Sequence, residues 1–370
     1  MRRTSEERAG ARSSSPRPRR LRRWPLAGSG AATVLVLSLV AVALQFGSTA
    51  SAADAPKCSD TVTSAPTGPA TVSVASTSFG KVLVVGSGDY AGCSLYLLTS
   101  DQLHGLTGVH FACSNDQNAI NQPCDTFLWP ALLTDGAPIA GPGVDPRLLG
   151  TVARTDLPGL GTVQQVTYAG QPLYRFFLDE TPGETSGASL FDPVTSPTGI
   201  WYLVEPTRGL PAPGTAHLQL ETAPLGGSGT NQTVLAVTMD HGFDLLDEGA
   251  FPVYTSSPGH GHERGKGGEG KDHGNGNVCR LLCAQYWPPV LTSGRPEAGS
   301  GVDQHALGTT MRPDGSRQVT YKGRPLYLFA DDAYIFNPGL PAPYNTESAS
   351  INGAGARTLW GMFNTIPPVH

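Results

Sequence analysis

Charge is scarce in this chain, and helical patterning scarcer. Asp, Glu, Lys and Arg make up 15% of 370 residues. After residue 52 no apolar pattern of helical period runs beyond about ten residues, too short to build a helical bundle or coiled coil. Neither a Gly-x-Ser-x-Gly elbow nor a His-Glu-x-x-His pair is present. That removes the local signatures of the α/β-hydrolases and the zinc metalloproteases. A Ser-His-Asp site assembled from distant residues stays open, because such triads are defined by geometry and not by spacing. Positive charge is concentrated in the first 24 residues, which hold nine Arg and two Glu, a net of +7. The whole chain carries −5 and residues 25–52 carry none, so subtracting +7 from −5 leaves −12 on residues 53–370. An acidic body of this kind argues against nucleic acid or anionic lipid as its partner.

Gly (46) and Pro (32) together form about a fifth of the chain, which points to turns and short strands. The N-terminus is built differently. A basic, Ser- and Pro-rich stretch (1–24) precedes an uncharged apolar run from Ala31 to Phe46, and Ala50-Ser51-Ala52 follows. That order is the order of an export signal. Two outcomes are open: cleavage after Ala52, or retention of an uncleaved N-terminal anchor as a transmembrane helix. The 16-residue run is short of the roughly 20 that span a bilayer, which favours cleavage. Either way this segment engages the membrane during export. The protein is expected to be secreted or held on the extracytoplasmic face of the cell membrane.

The rest of the chain repeats. Tyr96 aligns with Tyr254, Trp129-Pro130 with Trp287-Pro288, Gly143-Val144-Asp145 with Gly301-Val302-Asp303, and Gly150 with Gly308, each at an offset of 158. GTVQQVTYAGQPLYRFFLD (161–179) aligns with DGSRQVTYKGRPLYLFADD (314–332) at 153, and Trp201 with Trp360 at 159. One offset held across separate motifs marks an internal duplication. The expected organisation is a leader (1–52), a short linker (53–69), repeat domain 1 (70–208), a Pro/Gly linker (209–217) and repeat domain 2 (218–365). A His- and Gly-rich insertion interrupts the second copy at 259–277. Each copy also looks internally doubled, with a Tyr near a strand end at Tyr96 and Tyr174, and again at Tyr254 and Tyr327. The linker is expected to let the two copies move relative to one another.

Locally the pattern is β. Val82 to Val85 and Val234 to Val237 read as buried strands. Gln165 to Tyr168 and Gln318 to Tyr321 run into Ala169-Gly170 and Lys322-Gly323 and then into Leu-Tyr-x-Phe, as hairpins do. Cys279 to Gln285 is expected to form one helical turn, stopped by Trp287-Pro288-Pro289. The fold class is therefore mainly β: two tandem domains of short antiparallel strands and hairpins, with minor short helices, tied by disulfides. Six Cys allow 15 pairings. Cys124 and Cys283 occupy equivalent places before Trp129 and Trp287, and each has an upstream Cys. The repeat thus pairs Cys113–Cys124 and Cys279–Cys283, which leaves Cys58–Cys93. Cys279-x-x-x-Cys283 has metal-pair spacing too, but an exported chain favours the disulfide.

Tyr174-x-Phe176-x-x-Asp179 and Tyr327-x-Phe329-x-x-Asp332 share one motif. With Cys-x-x-x-Cys-x-x-x-Trp-Pro-Pro (279–289) and Gly-Val-Asp…Leu-Gly-Thr…Arg-x-Asp, the chain resembles the bacterial secreted repeat of unknown function. That family's members are often described as lipoproteins with a Tyr-x-(Phe/Trp/Tyr)-x-x-Asp motif. The resemblance implies a cell-envelope or secreted protein with no established activity. Tyr96 lacks the aromatic but keeps Asp101, Tyr254 lacks both aromatic and Asp, and no lipid-attachment box precedes Cys58. Tyr and Phe two apart fall on one strand face, and an Asp at the strand end can hold the following turn. Core plus turn therefore explains the motif. The alternative is that Asp179, Asp332 and the Tyr hydroxyls line a ligand or cation site.

Other candidate chemistry is thin. His260, His262 and His273 could hold a transition metal, though no fixed neighbours orient them. Gly265 to Asp272 approaches a phosphate loop, but Asp272 stands where Ser or Thr would meet Mg²⁺. Asp145, Asp303, Asp156 and Asp314 recur between copies in turn-like settings. The expected function is non-enzymatic binding or scaffolding of an envelope component, whether protein, wall polymer or lipid, with no nucleic acid and no cofactor. A metal- or redox-cofactor-binding envelope protein using the His loop is the alternative, and an extracellular hydrolase the third.

Overall fold

Two β-hairpins set the plan of each half. In a computed structural model the strand Thr71–Thr77 pairs antiparallel with Gly80–Val85, and Ala216–Leu225 pairs antiparallel with Thr230–Met239. Each first strand also takes a short parallel partner: Ile139–Ala140 in the first half and Glu297–Ala298 in the second. The structure describes residues 57–105, 108–115, 123–192, 199–225, 230–239, 250–257, 279, 282–332, 351–358 and 361–368. The leader and the expected His insertion lie outside these.

The second pair of hairpins follows the sequence reading closely. Leu149–Arg154 pairs with Val163–Tyr168, and Leu307–Met311 with Arg317–Tyr321. Each then turns through two residues of positive φ, Ala169 (50°) with Gly170 (80°) and Lys322 (49°) with Gly323 (75°). Two consecutive left-handed residues match the right-handed twist of the strands they join. The returning strands are Gln171–Pro172 and Arg324–Tyr327. The helical turn expected at Cys279 to Gln285 is the helix Leu282–Tyr286. Its counterpart Cys124–Leu128 is a single π turn in which the Trp129 amide donates to the Cys124 carbonyl. The molecule is mainly β, in several antiparallel sheets with few short helices. The disulfides are Cys58–Cys93, Cys113–Cys124 and Cys279–Cys283, the pairs the repeat implied. Among the described residues no helix is long and apolar enough to cross a membrane.

The Pro/Gly linker does not run free between two beads. Pro211–Ala212 forms a strand against Leu203–Val204, and the Gly214 carbonyl accepts the Ser293 amide. The described residues from Lys57 onward form one compact unit. One apolar cluster takes Tyr202 and Val204 from the first half and Leu235, Met239 and Phe251 from the second. Phe191 stacks on Phe251 with centroids 5.4 Å apart. Each half keeps in addition its own aromatic cluster, around Trp129 and around Trp287.

A shared core predicts shared cooperativity. Truncating Phe251→Ala should cost about 3–5 kcal/mol, and the near-ultraviolet circular dichroism of both halves should be lost at one midpoint. A calorimetric trace with the second half melting separately would show the halves to be independent.

Candidate functional site

The motif residues of each half face one another. Tyr96 lies on the strand Tyr96–Leu98, and its backbone exchanges both hydrogen bonds with Tyr174, at 2.9 and 3.0 Å. The two strand segments are therefore crossed partners, and their acids are swapped. Tyr96 donates its hydroxyl to Asp179 (2.7 Å), while Tyr174 donates to Asp101 (2.7 Å). Each motif thus supplies the tyrosine for the other motif's carboxylate. In the second half Tyr254 pairs with Tyr327 and donates its hydroxyl to Asp332.

The second oxygen of each carboxylate holds a downstream loop. Asp179 accepts the Ser186 amide (2.8 Å), Asp101 the Ala112 amide (2.7 Å), and Asp332 the Asn352 amide (2.7 Å). These amides lie 7, 11 and 20 residues from their Asp, so each carboxylate holds distant backbone where a local turn was expected, and its tyrosine partner is one that single-strand reasoning missed.

Aromatic rings fill the space around these bonds. Trp129 packs edge-on to Tyr96 (5.4 Å), tilts against Phe176 (4.2 Å) and stacks on Trp201 (3.8 Å, 10°). Trp287 repeats the set with Tyr254 (5.4 Å) and Phe329 (4.4 Å), but its stacking partner is Phe363 (3.7 Å, 7°). The alignment of Trp201 with Trp360 is therefore corrected. Phe363, which also meets Tyr327 edge-on at 5.6 Å as Trp201 meets Tyr174 at 5.1 Å, is the structural counterpart, and Trp360 lies outside the described residues. A strand brings ring to ring by register, so a three-residue displacement in sequence conserves the packing but not the residue type. Gly187 and Gly353 close the clusters. A Cβ there would stand 2.6 Å from the Trp129 ring and 2.8 Å from the Trp287 ring.

Beneath each aromatic cluster lies a buried guanidinium. Arg154 donates to Gln165 (2.8 Å), to the Cys113 carbonyl (3.0 Å), to Asp125 (2.6 Å) and twice to Asp156 (2.8 and 2.6 Å). Arg312 donates to Gln318 (2.9 Å) and the Cys279 carbonyl (3.1 Å), with Asp314 3.6 Å away. Gln165 and Gln318 in turn donate to the Leu173 and Leu326 carbonyls, at 2.9 and 2.7 Å. Each Arg thereby joins a disulfide to the strand that carries the motif tyrosine. The recurrence of Arg-x-Asp in both copies was the available signal for this clamp. Asp145 and Asp303 serve locally, accepting the Arg147 and His305 amides.

The first half is the more acidic inside. Burial pushes Asp101 and Asp179 up to about 6, against the opposing pull of the Tyr174 and Tyr96 hydroxyls. Burial also raises Asp125 to about 7, with Asp156 adding to the rise and Arg154 opposing it. The Tyr96 and Tyr174 hydroxyls are held well above their usual range by burial and by the facing carboxylates. Among the described residues no group of three His, Cys, Asp or Glu has metal-ligating geometry. His260, His262 and His273 lie outside them.

A family described as a secreted repeat of unknown function matches residues 308–334. That stretch carries Arg312, Gln318, Tyr327, Phe329 and Asp332. No curated protein and no solved structure matches the chain.

The raised carboxylates fix a sign. A native pKa above the unfolded value of about 4 means that the native state holds more protons between those two values, so stability rises as pH falls through that window. The denaturation midpoint should increase from pH 7.5 to pH 5, and Asp101→Asn should flatten the slope. A midpoint that fell over this interval would show these carboxylates to be stabilised as anions.

Proposed function

We propose that this protein is exported to the cell envelope and acts there by binding or scaffolding, without catalytic chemistry of its own. In this reading both halves are copies of the secreted repeat. Their shared motif is Tyr-x-aromatic-x-x-Asp, complete at Tyr174, Phe176 and Asp179 and at Tyr327, Phe329 and Asp332. The observation that carries it is the swapped Tyr–Asp bonding. The motif's polar groups face inward and serve each other, and a buried carboxylate with both oxygens engaged holds a fold together.

The anchoring of Cys58 supports export with loss of the leader. Cys58, six residues past Ala50-Ser51-Ala52, is tied to Cys93. Arg175, 2% exposed, donates to the Cys58 and Asp60 carbonyls and stacks on Tyr90 at 3.7 Å. A segment fixed so tightly belongs to the mature fold, and in this reading the leader ends before it, at Ala52. The partner is an envelope component: protein, wall polymer or lipid.

The protein secreted by its own host should have a mass starting at Ala53 and six hydrogens light. It should also co-sediment with one of three fractions from that host: washed wall, membrane vesicles or envelope protein extract. Retention by none of the three would sink the proposal, as would turnover of a substrate by the purified protein.

A further inference from the structure

The surface folds inward where the two halves meet. A cleft of about 350 Å³ opens there, and a smaller lobe of about 140 Å³ adjoins it. Arg208, Leu210, Pro211, Leu291 and Ser316 line both lobes. The larger lobe has accessible apolar walls from Ala169, Leu210, Pro211 and Pro289, with the core residues Ile200 and Tyr202 behind them. Its size lies at the low end of small-molecule sites, which run from roughly 300 Å³.

Two polar atoms on the residues lining this lobe are buried without a hydrogen-bond partner: the amide oxygen of Gln171 and Nε of Arg312. The contrast with the first half is informative. Arg154 Nε donates to Asp156 at 2.8 Å, whereas Arg312 Nε has only Asp314 at 3.6 Å. Asp314 is instead held by the Ser316 amide and hydroxyl, at 2.8 and 2.6 Å. Arg312 is 7% exposed, so its weakly met donor is costly unless water or a bound group completes it.

Guanidinium groups outnumber carboxylates around the cleft: Arg208, Arg312 and Arg317 against Glu205 and Asp314. Arg208 is exposed between the lobes, with a long contact of 3.4 Å to the Gly315 carbonyl. Its nearest acid, Glu205, stands 3.9 Å away and already accepts the Thr207 and Arg208 amides at 2.8 Å. Arg317 lines the smaller lobe as a further cation. Both neighbouring carboxylates, Glu205 and Asp314, are thus occupied by local donors while the guanidinium of Arg208 is only loosely countered.

We propose that this cleft binds a small amphipathic anion, with an apolar body against Leu210, Pro211 and Pro289, a carboxylate at Arg208, and an O–H or N–H facing Gln171. The proposal deepens the binding function above and rests on it. The carboxylate matches the planar guanidinium. A single convergent acceptor and donor in an otherwise apolar wall fix orientation.

Dansyl-phenylalanine has the required parts and is fluorescent, and its carboxamide removes only the charge. The exported protein should bind dansyl-phenylalanine saturably at one site. Arg208→Gln should weaken it about tenfold and leave the carboxamide within about twofold. Ala284→Phe, which narrows the larger lobe from its wall, should weaken both. Near-ultraviolet circular dichroism of each variant checks that the fold is kept. Absence of saturable binding, or an Arg208→Gln variant that binds both probes as the parent does, overturns the proposal. Envelope co-sedimentation by the same preparations keeps the two ideas apart. A parent protein that co-sediments but ignores dansyl-phenylalanine loses the cleft and keeps the scaffold.

Discussion

A buried carboxylate that accepts a hydroxyl from across a strand pair is the constraint on which each half of this protein depends. Removing an ionisable oxygen from water is tolerated only when its lone pairs find donors. Asp179 and Asp101 find theirs in Tyr96 and Tyr174, on opposite members of one crossed pair. Neither strand segment can satisfy its own acid. Docking of the two is therefore a condition of burying either, and the aromatic stack of Trp129 on Trp201 forms over the same junction. The backbone bonds between Tyr96 and Tyr174 lock the register that makes the exchange possible.

The second half keeps the geometry with fewer charges inside. Its position equivalent to Asp125 is Ala284, and the residue aligned with Asp101 is Gly259. Arg312 meets the same glutamine and the same cysteine carbonyl as Arg154 does, without a fully buried acid beside it. A buried ion pair is seldom a net source of stability compared with apolar packing. Loss of Asp125's counterpart is therefore compatible with an intact fold, whereas the guanidinium that spans disulfide and strand is present in both halves.

What could be read from the sequence was local or repeated. The Ala169-Gly170 and Lys322-Gly323 turns declare themselves because two consecutive left-handed residues demand such chemistry. Two disulfides followed from one equivalence between copies, and the third from the two cysteines that remained. The swapped acids were not legible. Both members of each motif sit on one strand in sequence, and only the three-dimensional crossing hands the acid of one to the tyrosine of the other. Phe363 was hidden for a related reason: Trp360 offered a better letter match, but strand register placed the phenylalanine on Trp287. The common core was hidden because Phe191 and Phe251 carry no local pattern that names a partner. The cleft was illegible for the same reason, being made of residues from both halves.

The fastening of the N-terminus has a mechanical consequence. Any pull on the chain ahead of Lys57, from translocation or from a tether, arrives one residue later at a covalent crosslink. The Cys58–Cys93 bond passes that load straight to the segment that follows the Gly80–Val85 strand. Hydrogen bonds beside that crosslink, including the two from Arg175 to the Cys58 and Asp60 carbonyls, therefore lie outside the main line of force. A strand loaded at its end unzips one bond at a time. Here the load enters behind that weak edge, so the molecule resists traction from this side as a block.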